Sequence, residues 1–306
     1  MYIPTGFTNW DISINITPHN LIAVMSVKSI AKKFSALFNF NASVRLNGKT
    51  YIVPIIKNIG FANTKLKEDW FFNLLKQLPI QPDATFVDIG VNVGQTMLTF
   101  KSQYNSAYLG FEPNPNCVFY VNTLLEVNKI SNASVIPVGL SASDSIGRFF
   151  LKNSTDSAAT TVQDLRPDYY DSNTVTYVPL FNFDRLRPAF IKKIAAIKID
   201  VEGAELEVIS GMVETLKTVR PTVICEVLDS HNQQSLANSQ QRATRLATLV
   251  KECGYRIYRI LHPNATRIHL EPIDTIQLRV WNDESYNLND YIFAPQELPA
   301  ESILKH

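Results

Sequence analysis

Residues 85–96 read Thr-Phe-Val-Asp-Ile-Gly-Val-Asn-Val-Gly-Gln-Thr. The run 85–90 is short and apolar, the pattern of a strand buried on both faces of a parallel sheet. Gly90 and Gly94 interrupt it, and Gln95 to Tyr104 reads as a helix. A strand that feeds a helix through a glycine turn is the opening unit of a doubly wound α/β sheet. In such sheets ligands bind outside the carboxyl ends of the strands, where the strand order reverses. Glycine is scarce in this chain, 11 of 306 residues, so two in one turn mark a place where the backbone must come close to something.

Outward from this turn the unit repeats. Strand patterns fall at 107–112, 134–140, 194–200, 222–227 and 255–261, with a late strand pair at 275–281 and 290–294. Helical patterns fall at 117–129, 204–217 and 240–253. Strands alternating with helices predict an α/β fold with helices on both faces of the sheet. The segment 141–193 is long for one connection and predicts an inserted β pair, 147–152 and 175–180, then a helix near 184–193. Residues 1–80 lack the strand–helix rhythm. There, Asn47-Gly48 between two strand-like runs in 43–53 signals a hairpin, because both residues tolerate positive φ. Lys65 to Leu78 predicts a helix with Trp70, Leu74, Leu75 and Leu78 on one face, closed by Pro79 and Pro82. The expected division is an N-terminal helical and hairpin extension, 1–80, acting as a cap, and a main domain, 81–306, carrying the insertion.

Composition narrows the function. Apolar residues at 45% and charged residues at 19% exclude a disordered chain. Lys plus Arg, 29, nearly balances Asp plus Glu, 28, so no global field draws in nucleic acid or an anionic membrane. The first residues show neither the basic nor the apolar region of a signal peptide. Leu21 to Phe40 carries Lys28, Lys32 and Lys33, which suits an amphipathic helix and not a membrane span. Cys117, Cys225 and Cys253 are odd in number and widely spaced, giving neither a zinc motif nor a disulfide framework. A reducing cytoplasm is the simplest setting. Arg256, Arg259, Arg267 and Arg279 read as a solvated basic face.

The glycine spacing selects among ligands. A P-loop needs a Gly-Lys pair that this turn lacks, and a dinucleotide turn needs glycines two and three apart, whereas Gly90 and Gly94 are separated by three residues. That disfavours a nicotinamide oxidoreductase. The turn suits a ligand with an amino acid at one end and no pyrophosphate, which is the shape of S-adenosylmethionine. Asp88 at the strand end accepts hydrogen bonds from an ammonium or hydroxyl. Glu112, at the end of the next strand, can accept from both hydroxyls of a ribose.

At four segments the chain resembles the FkbM family of S-adenosylmethionine-dependent methyltransferases: FVDIGVNVGQT (86–96), GFEPNPNCVFYVNTLLEVN (110–128), VIPVGLSASDSIGRF (135–149), and AIKIDVEGAELEVISGM (196–212) with RPTVICEV (220–227). KIDVEGAE (198–205) is the most family-specific block. Phe183-Asp184-Arg185-Leu186 resembles the family's Thr-Leu-Asp-x-Leu segment, departing at Phe183 and Arg185. The resemblance covers about 85–295. It implies a Rossmann-like class I methyltransferase sheet and O-methylation of a hydroxyl on a sugar, glycan or secondary metabolite. It places Asp88, Gly90, Asn92, Gly94 and Gln95 at the methionine end of the cofactor, Glu112 at the ribose, and Leu140 and Ser141 near adenine. The expected acceptor is a small molecule or carbohydrate, with no nucleic acid and no metal. The alternatives are methylation of a nitrogen or carboxylate, or a non-catalytic module that holds the cofactor.

An alcohol is a weak nucleophile, so transfer to it requires alignment with the sulfonium and removal of its proton. Asp200, Glu202, Glu226 and His231 all follow strands on the same edge as the glycine turn. Asp200, Glu202 and His231 are the catalytic candidates, with Asp200 also a ligand for the cofactor ammonium. Glu226 and Asp184 are the candidate acceptor contacts. The same residues fit structural roles: Asp200 and Glu202 as turn and helix-start charges, Glu226 in an ion pair, His231 in solvent. Asp200 with Glu226 also fits a divalent ion, since hard cations take carboxylates.

Overall fold

The structure, a computed structural model, describes residues 39–151, 159–162, 175–186, 191, 193–282 and 288–305. The helix expected at 21–40 lies outside these residues except for its last two. The first strands, β1 (Phe40–Leu46) and β2 (Lys49–Ile55), form the expected antiparallel hairpin. Asn47 and Gly48 turn it with φ of 48° and 73°. The helix expected from Lys65 starts later. A 3₁₀ turn spans Asn63–Lys65, the chain extends at Leu66, and α1 (Trp70–Gln77) begins where the Asp69 carboxylate accepts from the N–H groups of Phe71 and Phe72. Those are the donors that a helix start leaves unpaired.

The repeating units follow: β3 (Thr85–Ile89), α2 (Gln95–Gln103), β4 (Tyr108–Phe111), α3 (Pro115–Val127) and β5 (Ala133–Ile136). The strand expected over 134–140 stops at Ile136 because Pro137 has no N–H to continue the ladder. Gly139–Leu140 is a separate strand, β6. It belongs to a three-stranded sheet in the order β6-β8-β7 with β7 (Ser145–Phe150) and β8 (Val175–Phe181), the inserted β pair. The helix expected near 184–193 is present as one turn, α4 (Phe183–Leu186); 187–190 and 192 lie outside the described residues.

The chain returns to the main sheet with β9 (Ile194–Ile199). The single helix expected over 204–217 is two, α5 (Glu205–Ser210) and α6 (Val213–Thr218). They break at Gly211, where the backbone packs so closely that a Cβ would lie 2.1 Å from the Ser141 carbonyl oxygen. Next come β10 (Thr222–Glu226) and α7 (Gln233–Glu252), which starts seven residues earlier than expected because Asn232 caps it through the Ser235 N–H. Then β11 (Tyr255–Leu261), β12 (His269–Ile273) and β13 (Asp290–Pro295) complete the sheet. The late pair therefore uses 269–273 and not 275–281. In the latter segment the Gln240 side chain donates to the Ile276 carbonyl and accepts from the Leu278 N–H, meeting backbone needs that a strand partner would otherwise meet.

The main sheet runs β12-β11-β13-β10-β9-β3-β4-β5. From β10 to β5 the neighbours are parallel; β13 is antiparallel to both β10 and β11. The chain moves outward from β3 through β4 to β5, then restarts on the other side of β3 with β9. The reversal opens a crevice at the carboxyl ends of β3 and β9. One face of the sheet, with Phe86, Ala196, Ile224 and Ile292, packs against α1 to α3 and against the hairpin through Leu46, Val53 and Ile55. The other face, with Val87, Ile197, Val223 and Phe293, packs against α5 to α7. Of the four arginines read as a solvated face, Arg256, Arg267 and Arg279 are exposed; Arg259 instead lies over the Tyr291 ring, its side chain 18% exposed.

Two glycines separate backbone strain from close packing. Gly48 has positive φ with nothing within 4 Å of where a Cβ would stand, whereas at Gly211 a backbone carbonyl blocks that position. Gly48→Ala is expected to cost about 1 kcal/mol from its left-handed backbone alone, and Gly211→Ala on the order of 3 kcal/mol through forced displacement of Ser141. Urea unfolding of the two variants measures the difference.

Candidate active site

Gly90, at φ 89°, turns the chain off β3, and a Cβ there would sit 1.8 Å from the Asp200 carbonyl oxygen. Its lack of a side chain thus lets the ends of β3 and β9 meet at the crevice. Gly94, at φ 84°, starts α2, and its open side faces Leu124, Met97 and Val121. Both glycines shape the crevice wall by packing on the protein itself, where the sequence suggests approach to a ligand.

Glu112 is 6% exposed at the end of β4. Its two oxygens accept from the Asn92 and Asn114 N–H groups, each at 2.8 Å, which leaves lone pairs on both oxygens. Burial pushes this carboxyl up to about 7, opposed by those two backbone donors. Beneath the crevice Asp88 is wholly buried, accepting from the Tyr108 hydroxyl, and burial pushes it up to about 6 against the pull of Lys198. The Lys198 ammonium lies 2.9 Å from Asp200 and 3.8 Å from Asp88. Burial alone would lower Lys198; Asp200 and Asp88 outweigh it and hold the ammonium above its ordinary range.

The crevice has two halves that share Gly90, Asn92 and Asp200. The first, about 660 Å³, is bordered by Glu112, Cys117, Leu140 and Glu202 and by the inserted sheet at Phe149 and Leu180. The second, about 880 Å³, is bordered by Gln95, Lys198, Glu226, His262 and Asp290, with Trp70 and Phe71 of α1 as its aromatic wall. Glu226 and Asp290 are directly paired in register on β10 and β13. Burial, then Asp200, Asp290 and Glu202, push Glu226 well above the carboxylate range. Burial likewise raises Asp290, offset in part by His262. The His262 ring stacks on Trp70, centroids 4.1 Å apart and planes within 5°.

The structure thus brings together Gly90, Asn92, Gln95, Glu112, Leu140, Asp200, Glu202 and Glu226 from among the residues expected at the site. Asp88 and Gly94 support it from below, and Ser141 lies just outside it. Glu202 has a left-handed φ of 55°, which a non-glycine residue rarely adopts. His231 is exposed and borders a smaller pocket with Asp229 and Arg242, a pocket that has Glu202 in common with the crevice. Asp184, expected at the acceptor, is a helix cap: its carboxylate accepts from the N–H groups of Glu214 and Thr215 and from the Thr215 hydroxyl, at 2.6–2.8 Å. Its charge is committed to the start of α6. The crevice also takes in Lys198, His262, Asp290 and Trp70, which sequence reasoning does not single out as site residues. A charge inside the apolar run 194–200 is a usable signal for Lys198, and position after strand 255–261 is one for His262. Asp290 needs the knowledge that β13 runs antiparallel, which brings its first residue to the carboxyl edge.

Among the described residues, no group of three or more His, Cys, Asp or Glu converges as a metal centre, and no helix is long and apolar enough to cross a membrane. Removing the Asp184 cap should destabilise without touching the crevice. Asp184→Asn is expected to lower unfolding free energy by about 1–2 kcal/mol, read by denaturant titration, with cofactor affinity unchanged by calorimetry.

The profile of the Methyltransferase FkbM domain matches residues 88–257, more than half of the chain. Methyltransferase 1 of Beauveria bassiana is 26% identical over 191 residues, covering 56% of this chain and 76% of that protein. The hexuronic acid methyltransferase AglP of Haloferax volcanii is 25% identical over 182 residues, covering 58% and 72%. Among solved structures, a methyltransferase FkbM from Methylobacillus flagellatus aligns with a TM-score of 0.41 at 12% identity, covering 71% of this chain and 44% of that one. Aeropyrum pernix fibrillarin, solved with S-adenosyl-L-methionine, aligns with a TM-score of 0.44 at 12% identity, covering 83% and 82%. With its glycine turn, its acid after the second parallel strand and its class I sheet, the chain belongs to the FkbM methyltransferase domain family and is an S-adenosylmethionine-dependent methyltransferase.

Proposed function

We propose that the protein methylates a hydroxyl oxygen on a sugar, glycan or secondary metabolite. The observation that carries this reading is the second half of the crevice, where an aromatic wall of Trp70 and Phe71 faces the carboxyl groups of Asp200, Glu226 and Asp290. Aromatic rings accommodate the C–H face of a sugar, and carboxyl groups hydrogen-bond its hydroxyls. The hexuronic acid specificity named for the Haloferax volcanii relative supports a carbohydrate acceptor.

The residues present fit the cofactor. Glu112, fixed by two backbone donors, keeps acceptor capacity on both oxygens for a ribose diol. Leu140, Cys117 and Phe149 offer an apolar bed for adenine, and Asp200 with Asn92 and Gln95 offers polar partners for the amino-acid end. When bound, S-adenosylmethionine supplies an electrophilic methyl group on a positively charged sulfur. Asp200 lies at the junction of the two halves, where a carboxylate favours that positive charge. Lys198 holds Asp200 in place through its 2.9 Å contact. The half-buried aromatic wall limits water around the acceptor.

Two outcomes test the cofactor half and the charge arrangement. Glu112→Ala is expected to weaken S-adenosylmethionine binding by about 2–3 kcal/mol, as loss of charge-assisted hydrogen bonds. Because the ionised carboxylate is the better acceptor, wild-type affinity should rise as pH passes upward through about 7 and then level off; Glu112→Gln should abolish that rise in calorimetric titrations. Lys198 already supplies a cation between Asp88 and Asp200. Dialysis against EDTA should therefore leave methyl transfer within about twofold of the untreated rate, and a loss restored by Mg²⁺ would assign Asp200 and Glu226 to a divalent ion.

A further inference from the structure

We propose that His262 takes the proton from the acceptor hydroxyl, with Asp290 as the residue that positions its ring. This rests on the reading that the methylated atom is a hydroxyl oxygen, since an ionised carboxylate needs no base.

His262 follows β11 and borders the second half of the crevice, on the same wall as Asp200, Glu226 and Asp290. Its side chain is 5% exposed, and its Nε2 lies 3.8 Å from the nearer Asp290 oxygen with no hydrogen-bond partner. A buried ring nitrogen without a partner is costly unless the site completes it in use. Closure by roughly 1 Å brings Nε2–H and the Asp290 carboxylate to hydrogen-bond distance, a tightening common when catalytic sites fill. That bond fixes the tautomer and leaves the lone pair on Nδ1 to receive a proton. Trp70 holds the ring plane by stacking.

The neighbouring groups leave His262 as the acceptor of the proton. Lys198, on β9, is held as an ammonium by Asp200 and Asp88. Asp200, which follows β9, is engaged by Lys198. Glu226, on β10, is pushed up by burial and by Asp200, Asp290 and Glu202, which disfavours its ionised, proton-accepting form. Asp290, on β13, faces the ring itself. From α1 the crevice receives only the uncharged Trp70 and Phe71. In the step, the hydroxyl proton passes to the imidazole and the oxygen forms its bond to the methyl carbon. The carbon–sulfur bond breaks with its electron pair left on sulfur, giving S-adenosylhomocysteine and an imidazolium that returns its proton to solvent.

The test combines ring NMR with methyl transfer to methyl glycosides of neutral hexoses. The ring resonances of His262, assigned by their loss in His262→Gln, are expected to shift in Asp290→Asn. His262→Gln is expected to slow single-turnover ether formation about 10²–10⁴-fold, to flatten the rise of rate with pH, and to bind S-adenosylmethionine as the wild type does. Asp290→Asn should alter the shape of that rise with S-adenosylmethionine binding left as in the wild type, which a merely structural role would not do. Ether formation by His262→Gln at the wild-type rate, or the same loss in His231→Ala with His262→Gln unaffected, would overturn the assignment while leaving the hydroxyl reading intact. Ring resonances of His262 that stay unmoved in Asp290→Asn would overturn the positioning role of Asp290. A methyl ester as the wild-type product, with hexuronic acid glycosides as acceptors and no ether from the neutral ones, would overturn the hydroxyl reading itself.

Discussion

The ammonium of Lys198, set between Asp88 and Asp200 at the reversal point of the sheet, is the interaction on which the site depends. Asp88 is wholly buried on β3, and Lys198 pairs with it in register from β9. Without the ammonium, the carboxyl groups of Asp88, Asp200 and Glu226 would crowd one sheet edge with no compensating charge. An isolated buried carboxylate responds by taking up a proton. Burial raises both Asp88 and Glu226. Lys198 opposes both rises without cancelling either. One cation thereby offsets the charge of carboxyl groups that reach this edge from β3 and from the end of β9.

Backbone geometry makes this arrangement possible. Gly90 allows the Asp200 carbonyl to approach β3 more closely than any side chain would permit. The Asp200 N–H in turn donates to the Ile89 carbonyl at 2.9 Å, so the two strand ends are joined where the crevice begins. Asn63, fully buried, donates to the Val93 carbonyl and ties the segment before α1 to the same glycine turn at 2.7 Å. The hairpin and α1 share one hydrophobic core with the sheet, and α1 carries Trp70 into the crevice wall. Packing of the N-terminal part and shape of the half of the crevice that Trp70 borders are therefore coupled.

The outer strands add what the parallel core lacks. Because β13 runs antiparallel between β10 and β11, the start of one strand and the ends of two others meet at the same edge. Glu226, Asp290 and His262 are neighbours there although they come from distant parts of the chain. The inserted sheet closes the opposite side, with Phe149 and Leu180 over the half that Glu112 borders.

Local chemistry made part of this legible in the sequence. The run 85–96 specified a strand, a turn and a helix because apolar burial, positive φ and helical periodicity each act over a few residues. Glu112 was legible for the same reason, being fixed by its place at the end of the next strand. The breaks at Pro137 and Gly211 were less so: proline's missing N–H is a local signal, whereas Gly211 is dictated by the Ser141 carbonyl, which is distant in sequence. Asp184 shows the limit from the other side, since a carboxylate near a glycine-rich edge and a carboxylate capping a remote helix look alike until the helix is placed. The sequence by itself determined the α/β sheet, the strand–glycine turn–helix unit and the family. Only the tertiary structure decided that His262 and Asp290 stand beside Glu226 while His231 stands apart, because that choice follows from strand order and direction, which no local pattern of residues encodes.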